Sequence, residues 1–176
     1  MHPAFQPLIT TSLPCWVIGH RGAAAVRPEN TLLSFQTARD AGACMIEFDV
    51  QPSADGELIV FHDATLARLC GEPTAVTALT YAALSSRVVG RYQGASLHLP
   101  RLVDVFATFQ QSLLYNIELK TEVTLSLDAA KRLVNLVCEH RVTERVLVSS
   151  FHHDNLRIMR EGAPDIALGL LLSLEQ

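Results

Sequence analysis

The chain has 176 residues, of which 49% are hydrophobic, and its 18 acidic residues outnumber its 14 lysines and arginines to give a formal net charge of −4. A chain of this size and composition is expected to fold as a single domain, which we take as residues 1–176. The basic residues are scattered and form no basic stripe, so we expect no nucleic-acid partner. The apolar runs have the length of strands and fall short of the roughly 18 residues that a membrane span requires.

The cysteines and the N-terminus indicate the compartment. Cys15, Cys44, Cys70 and Cys138 share no short spacing, which argues against a zinc cluster, and their spread fits a reducing cytosol. Two of them, Cys44 and Cys138, lie in apolar runs and are predicted to be buried thiols. Residues 1–14 carry neither a basic region nor a sustained apolar region, so they predict a loose lead-in without a signal peptide. We therefore expect a cytoplasmic protein, whose oligomeric state the sequence leaves open.

Strands and helices alternate along the rest of the chain. Strands are predicted near residues 16–20, 44–50, 58–62, 113–119, 146–150 and 166–172. Helices are predicted near 31–41, after Pro100, near 128–140 and from 154 to 162, with N-caps at Asn30 or Thr31, at Asp128 and at Asp154. Residues 64–100 predict an irregular excursion with one short helix near 80–86. The rhythm predicts an α/β fold, and about six strands fit either an open doubly wound sheet or most of a (β/α)8 barrel.

Charged residues stand at the ends of four apolar runs. The runs are VIGHRG (17–22), MIEFDV (45–50), LIVFHD (58–63) and YNIELK (115–120). Each run is hydrophobic enough for a strand of a parallel sheet that is buried on both faces. Because the carboxyl ends of parallel strands form the site edge of α/β folds, charges collected there predict a pocket for a cation and an anionic substrate.

Alternation along two of these strands brings carboxylates to one face. Glu47 and Asp49 are two residues apart and point to the same side, and Glu118 and Lys120 repeat the spacing. Carboxylates that converge without a counter-charge repel one another, and a hard cation such as Mg2+ or Ca2+ prefers their oxygens. We therefore predict metal ligands at Glu47, Asp49 and Glu118. The alternative is a set of ordinary salt bridges, for instance between Glu118 and Arg21.

Two histidines and two cations complete the predicted pocket. His20 and His62 each end a strand, and imidazole suits general acid–base work because it titrates near neutral pH. A zinc site built on both histidines is a competing interpretation, but it leaves the carboxylates unexplained. Arg21 and Lys120 could hold a phosphate, neutralise the carboxylates, or do both. The sequence contains no Walker loop, GxGxxG or GxSxG motif, so nucleotide binding and serine hydrolysis lack support.

Taken together, the motifs resemble those of the glycerophosphodiester phosphodiesterase family. The matching segments, which extend over about residues 16–172, are His20-Arg21-Gly22, Pro28-Glu29-Asn30-Thr31, Glu47-Phe48-Asp49-Val50, Asp55-Gly56, His62-Asp63 and Ile117-Glu118-Leu119-Lys120. The resemblance implies a TIM (β/α)8-type barrel and metal-dependent hydrolysis of glycerophosphodiesters, such as glycerophosphocholine or glycerophosphoethanolamine, to sn-glycerol 3-phosphate and an alcohol. The barrel of the family has eight strands, so the resemblance implies one that is incomplete at its C-terminal end, without the last two strands.

The resemblance also implies a role for each charged residue of the motifs. The implied roles are metal ligation by Glu47, Asp49 and Glu118, acid–base catalysis by His20 and His62, phosphate contact by Arg21 and Lys120, support of the first loop by Glu29, and orientation of His62 by Asp63. The expected mechanism is attack by the neighbouring glycerol hydroxyl through a cyclic phosphate, and direct attack by water is the alternative. A catalytically inactive, truncated metal-binding member and a related phospholipase-type phosphodiesterase remain as rival interpretations.

Overall fold

The computed structural model describes residues 16–120 and 125–173, so the predicted lead-in 1–14 and Cys15 lie outside the described residues. The strands are β1 (Ile18–His20), β2 (Met45–Pro52), β3 (Leu58–Val60), β4 (Val88–Tyr92), β5 (Ala95–His98), β6 (Leu114–Leu119), β7 (Val146–Ser150) and β8 (Ala167–Leu170). The α-helices are α1 (Leu32–Asp40), α2 (Ala67–Cys70), α3 (Tyr81–Leu84), α4 (Leu102–Phe109), α5 (Leu127–Glu139) and α6 (His153–Gly162). Single 3-10 turns span Val76–Ala78 and Thr143–Arg145.

The predicted strands share one sheet. Its order is β1-β2-β6-β7-β8 with every neighbouring pair parallel, and β3 pairs with β2. Although its run was grouped with those of a parallel sheet, β3 runs antiparallel to β2 with Val50 opposite Val60, and the hairpin-like pair Asp55-Gly56 lies in the turn between them. Residues 53–57 between the two strands form a tight turn, and a parallel return would need a crossover of about a dozen residues or more.

Side-chain alternation divides the two faces of the central strands. Phe48 of β2 and Tyr115 of β6 are fully buried, and Phe48 lies 5.3 Å from Phe35 of α1 between ring centroids. The ring of Phe106 from α4 packs edge-on against Tyr115 at 5.2 Å. Each fully buried aromatic side chain contributes roughly 1.5–3 kcal/mol to the free energy of unfolding. Because this packing fixes the helix-covered face, the intervening residues of β2 and β6 must point to the opposite face.

The helix starts follow local capping chemistry. Thr31 is the N-cap of α1, as predicted, and its hydroxyl accepts the Ser34 N–H at 3.1 Å. The other two predicted caps were wrong, because Ser126 caps α5 through the Ala129 N–H and His152 occupies the N-cap position of α6. Asp128 and Asp154 lie instead in the first turns of these helices, where a carboxylate interacts favourably with the helix dipole.

The excursion at 64–100 is more regular than predicted. It contains α2, α3 and an antiparallel hairpin of β4 and β5, with a separate apolar cluster beneath it. The cluster consists of Ile59, Phe61, Leu66, Val76, Leu84, Val89 and Leu99. The hairpin turns at Gln93 and Gly94, whose φ angles of 49° and 83° are those required by a two-residue loop with left-handed backbone. The excursion is therefore an ordered unit that can hold site residues in place.

Two sequence expectations concern membranes and thiols. No helix within 16–120 or 125–173 is long and apolar enough to cross a membrane. Cys44, Cys70 and Cys138 are free thiols. Contrary to the expected burial, Cys44 is only partly buried, and Cys138 is exposed because it lies on the solvent side of α5.

Candidate active site

Three carboxylates converge between β2 and β6. The two strands are paired in parallel with Asp49 opposite Glu118, and Glu47 lies one alternation earlier on the same face. One oxygen atom from each of Glu47, Asp49 and Glu118 lies within 4.8 Å of the other two. This group of potential metal ligands contains neither His20 nor His62, so the geometry of the described residues does not favour zinc held by both histidines.

Asp49 is the most enclosed of the three and has the most partners. Its side chain is 2% exposed and lies 3.3 Å from Lys120 Nζ and 3.4 Å from Arg21 Nε. Asn30 Nδ2 also donates to Asp49 Oδ2 at 2.9 Å. Glu118 Oε1 pairs with Lys120 Nζ at 3.0 Å, whereas the suggested pair of Glu118 with Arg21 is replaced by the pair of Arg21 with Asp49. Ordinary ion pairs therefore account for part of the charge at this site.

Glu47 is left with an oxygen that these ion pairs do not satisfy. Its Oε2 accepts the backbone N–H of Arg21 at 3.1 Å, but its buried Oε1 has no hydrogen-bond partner. Burial, followed by the nearby charge of Asp49, raises the pKa of Glu47 to about 7. An orphaned carboxylate oxygen beside two further carboxylates fits a hard divalent cation, which would supply the missing partner and favour the ionised form.

The two histidines occupy different environments. His20 Nε2 lies 3.8 Å from Glu47 Oε2, and its side chain is 73% exposed. His62 Nδ1 lies 2.7 Å from Asp63 Oδ1. Hydrogen bonds from Arg68 are the main cause of a lowered pKa at Asp63, so this carboxylate is ionised at neutral pH and can only accept. His62 Nδ1 must then donate, which leaves Nε2 of the neutral ring without a proton.

Lys120 remains a cation although it is half-buried. Burial works against its charge, but Asp49 and Glu118 more than compensate and raise its pKa. Lys120 and His62 line the same cavity of about 200 Å³, together with Gln51, Pro52, Ala64, Ala75 and Thr77. A larger cavity of about 370 Å³ between α5 and α6 contains none of the predicted site residues, so it does not mark this site. The smaller cavity lies beside the predicted site residues, and residues of the excursion form part of its wall.

The structure joins the nine predicted residues into one network of contacts. Arg21 links Glu47, Asp49 and Glu29, since its NH1 donates to Glu29 Oε1 at 3.0 Å. His62 and Asp63 join this network through Arg68, which contacts both Asp63 and Glu29. The nine residues are His20, Arg21, Glu29, Glu47, Asp49, His62, Asp63, Glu118 and Lys120.

Sequence reasoning missed three residues of this network. Asn30 was considered as a helix cap and as part of a matching motif but given no role in the site, and Arg68 was not considered, although it stands five residues after Asp63. Gln51 continues the alternation of Glu47 and Asp49, and its Nε2 donates to the carbonyl oxygens of Phe61 and Asp63. The period-two pattern of β2 could have identified Gln51. The partners of Arg68 are 5 and 39 residues away, and no local pattern pairs it with Glu29.

Comparison with known proteins decides the family. The model of the glycerophosphoryl diester phosphodiesterase family matches residues 20–176, which includes the whole site. This chain belongs to that family. Membership agrees with the resemblance drawn from the motifs, and it accounts for an α/β arc of parallel strands with the charged residues gathered at their carboxyl ends.

Relatives of the glycerophosphoryl diester phosphodiesterase family extend the match to sequence and fold. The chain is 36% identical over 159 residues to a glycerophosphodiester phosphodiesterase of Caldanaerobacter subterraneus subsp. tengcongensis, covering 88% of this chain and 65% of that protein. An Oleispira antarctica phosphodiesterase, solved in complex with the product sn-glycerol-3-phosphate, superposes with a TM-score of 0.83 at 29% identity, covering 90% of this chain and 66% of that one. A glycerophosphodiester phosphodiesterase of Agrobacterium tumefaciens gives a TM-score of 0.79 at 26% identity, covering 87% and 65%.

These coverages define how much of the family fold the chain contains. The match spans 65% of the length of the Caldanaerobacter protein and 65% of that of a Bacillus altitudinis glycerophosphodiester phosphodiesterase. The predicted incomplete TIM-type barrel is confirmed as a fold, because the solved members superpose on nearly the whole chain while about a third of their own length extends beyond the match.

Proposed function

We propose that the protein hydrolyses glycerophosphodiesters to sn-glycerol 3-phosphate and an alcohol, in a divalent-cation-dependent reaction in the cytoplasm. The observation that carries the proposal is the convergence of three carboxylates, with His20 beside one of them and His62 lining the same cavity as Lys120. The glycerophosphodiester phosphodiesterases among its relatives, and the product bound to the Oleispira antarctica protein, support this substrate class. The free thiols support the location.

The proposed metal ligands are Glu47, Asp49 and Glu118. Their oxygens are hard donors, which suit either Mg2+ or Ca2+, and the unpartnered Oε1 of Glu47 supports a cation there. When bound, such a cation would supply positive charge to the phosphate oxygens and lower the pKa of a coordinated hydroxyl. Asn30 and Lys120 hold Asp49 in place, so the ligand set is organised by protein contacts on its outer side.

We assign His62 the role of base and His20 the role of acid. The Nε2 atom of neutral His62 carries a free lone pair, so it can take the proton of the glycerol hydroxyl next to the phosphate. The hydroxyl oxygen forms a bond to phosphorus while the bond from phosphorus to the leaving alcohol oxygen breaks. Protonated His20 then gives its proton to that alcohol oxygen. In the second step water opens the cyclic phosphate, and the two histidines exchange roles.

Arg21 and Lys120 are proposed to hold the phosphate. Arg21 is fixed by Glu29 and Asp49, so its guanidinium is oriented before substrate arrives. Lys120 is cationic and lines the cavity that His62 also lines. Oriented cations of this kind stabilise the negative charge that develops on phosphoryl oxygens, and they do so at little reorganisation cost.

The test is release of sn-glycerol 3-phosphate from glycerophosphocholine and from glycerophosphoethanolamine, with Mg2+ or Ca2+ and again with EDTA. We expect turnover with metal that EDTA abolishes, and phosphorus NMR should detect a transient cyclic phosphate. Turnover without a cyclic species would replace the hydroxyl attack with direct attack by water. A folded protein that binds metal and releases no product would overturn the proposal in favour of an inactive member of the family.

A further inference from the structure

Arg68 of α2 makes a forked contact with two carboxylates that belong to different loops of the site. Its Nε and NH2 atoms donate to Asp63 at 2.6 and 3.0 Å, and NH1 and NH2 donate to Glu29 at 3.2 and 2.7 Å. Four donated hydrogen bonds use the planar geometry of the guanidinium, which a lysine ammonium cannot reproduce. Asp63 is the residue that contacts His62, and Glu29 is the residue that holds Arg21.

Stability alone is a weak explanation for this fork. The Arg68 side chain is 46% exposed, although Glu29 and Asp63 are only 20% and 22% exposed, and ion pairs with one exposed partner contribute modestly to the free energy of unfolding. The contacts do change the carboxylates, because the hydrogen bonds of Arg68 are the largest cause of the lowered pKa of both Glu29 and Asp63. The hydrogen bonds of Arg68 therefore act mainly on the ionisation and orientation of Glu29 and Asp63, which lie beside the proposed catalytic residues.

The excursion that carries Arg68 also contacts the first loop, residues 21–31 between β1 and α1, at a second place. Gly90 of β4 lies so close to Pro28 that a Cβ atom there would come within 2.5 Å of Pro28 Cβ. The guanidinium of Arg27 lies 4.2 Å from the ring centroid of Tyr92 at the end of the same strand. These contacts keep α2 and the first loop at a fixed separation. Arg68 of α2 can therefore bond Glu29 of that loop and Asp63 at the same time.

We propose that Arg68 is a positioning residue for the reaction: it fixes the Asp63 carboxylate that orients His62, and it ties that carboxylate to Glu29 and thereby to Arg21. The inference rests on the proposed function, since His62 and Arg21 matter only if the phosphodiester is hydrolysed at this site. It adds a residue that contacts neither substrate nor metal, and it gives the excursion a role in aligning the base with the phosphate contact.

The charged groups around His62 determine how the loss of the Arg68 side chain affects this histidine. They are Asp63 on its own segment, Arg68 from α2 through Asp63, and Lys120 across the cavity. Without Arg68, Asp63 keeps its charge but loses the two donors that fix its plane. The His62 ring that Asp63 contacts is then held less firmly.

The experiment compares the wild type with Arg68→Ala, Arg68→Lys and the control Arg87→Ala in the full chain with Mg2+ and glycerophosphocholine. Arg87 is a matched control because it is another arginine of the excursion and pairs through two nitrogens with Glu72, away from His62. For Arg68→Ala we expect kcat to fall about 10–100-fold with little change in KM. Arg68→Lys should lie between the wild type and Arg68→Ala, and Arg87→Ala should match the wild type.

A second readout does not depend on turnover. The Nδ1–H resonance of His62 should be visible by nitrogen-15 NMR in the wild type and broadened by exchange in Arg68→Ala. An active wild type with an unchanged kcat and Nδ1–H signal in Arg68→Ala would overturn the role of Arg68 alone. A wild type that releases no product would overturn the proposed function instead, so the two failures are distinguishable.

Discussion

Asp63 Oδ1 lies 2.7 Å from His62 Nδ1, and the lowered pKa of Asp63 makes it an acceptor that fixes the proton on Nδ1. Asp63→Asn replaces this acceptor with an amide that can donate, so the ring can adopt the opposite tautomer and lose its free Nε2. We expect kcat to fall about 100-fold while KM changes little. Steady-state kinetics at saturating metal measures this. Asp154→Asn, an exposed change in α6, is the control, and an equal loss there would point to a general effect of the substitution.

His20 and His62 should be separable by the leaving-group dependence of their variants. His62→Ala and His20→Ala should each lower kcat by about 10²–10⁴-fold, because each removes one partner in proton transfer. A substrate with a more acidic leaving alcohol, such as a nitrophenyl ester, should restore much of the rate in His20→Ala and little in His62→Ala. His153→Ala changes an exposed histidine at the start of α6 and should have no effect. Equal rescue of both variants would contradict the assignment of acid and base.

Glu47→Gln should weaken the stabilisation by metal without lowering the free energy of unfolding of the metal-free protein. Without metal, the variant should be as stable as the wild type or more so, because it removes a buried carboxylate oxygen that lacks a partner. With metal at about 100 times its Kd, the wild type should gain about 2.7 kcal/mol in free energy of unfolding, and the variant should gain much less. Chemical denaturation with Mg2+ or Ca2+ and with EDTA tests this. Glu139→Gln, at the exposed end of α5, should retain the full gain.

Gly22 and Gly56 share a φ of +80° but differ in their surroundings. A Cβ at Gly22 would lie 2.4 Å from Ser34 Oγ and 2.7 Å from the Ser34 backbone carbon, whereas one at Gly56 would meet nothing within 4 Å. Gly56→Ala should therefore cost only the left-handed strain, about 1–2 kcal/mol. Gly22→Ala should cost about 1–3 kcal/mol more, because the loop that carries Arg21 must move away from α1. Urea unfolding of both variants measures the difference, and equal costs would show that the loop relaxes freely.

The carboxylates bound to Arg68 should make the protein less stable in acid. The folded-state pKa values of Glu29 and Asp63 are lowered, mainly by hydrogen bonds from Arg68. A lowered pKa contributes stability that is fully present above the unfolded values, roughly pH 4–4.5, and is lost as the pH falls through the folded values. The free energy of unfolding should therefore decrease below about pH 4.5. The double variant Glu29→Gln with Asp63→Asn should show a shallower decrease, and an unchanged slope would remove these two groups from the explanation.

The local chemistry of the sequence predicted much of the fold. Alternating apolar residues placed Phe48 and Tyr115 against the helices, so the intervening Glu47, Asp49 and Glu118 had to share the opposite face. Capping preference narrowed the start of α1 to Asn30 or Thr31, and Thr31 is the cap. These features depend on residues a few positions apart, where the period of a strand or the first turn of a helix determines the outcome.

The misassigned features depend on competition or on distance along the chain. Ser126 and Asp128 are both good caps, and only the packed position of α5 decides between them. The hairpin of β4 and β5 turns at Gln93-Gly94, a weaker turn signal than Asn-Gly. Arg68 reaches Glu29 because the excursion docks on the first loop, and this contact between residues 39 positions apart has no periodic signature.

We expect the proposed metal ligands and the proposed base to lie in parts of the molecule that differ in local stability. The carboxylates belong to β2 and β6, whose paired backbones lie inside the sheet, while His62 and its partners follow a short strand and depend on the excursion. Segments held by fewer buried contacts open more often and at lower cost than strands within a ladder. Mild warming or dilute denaturant should therefore produce a species that retains its cation and exchanges amides slowly in β2 and β6 while it no longer turns over substrate, so inactivation precedes unfolding.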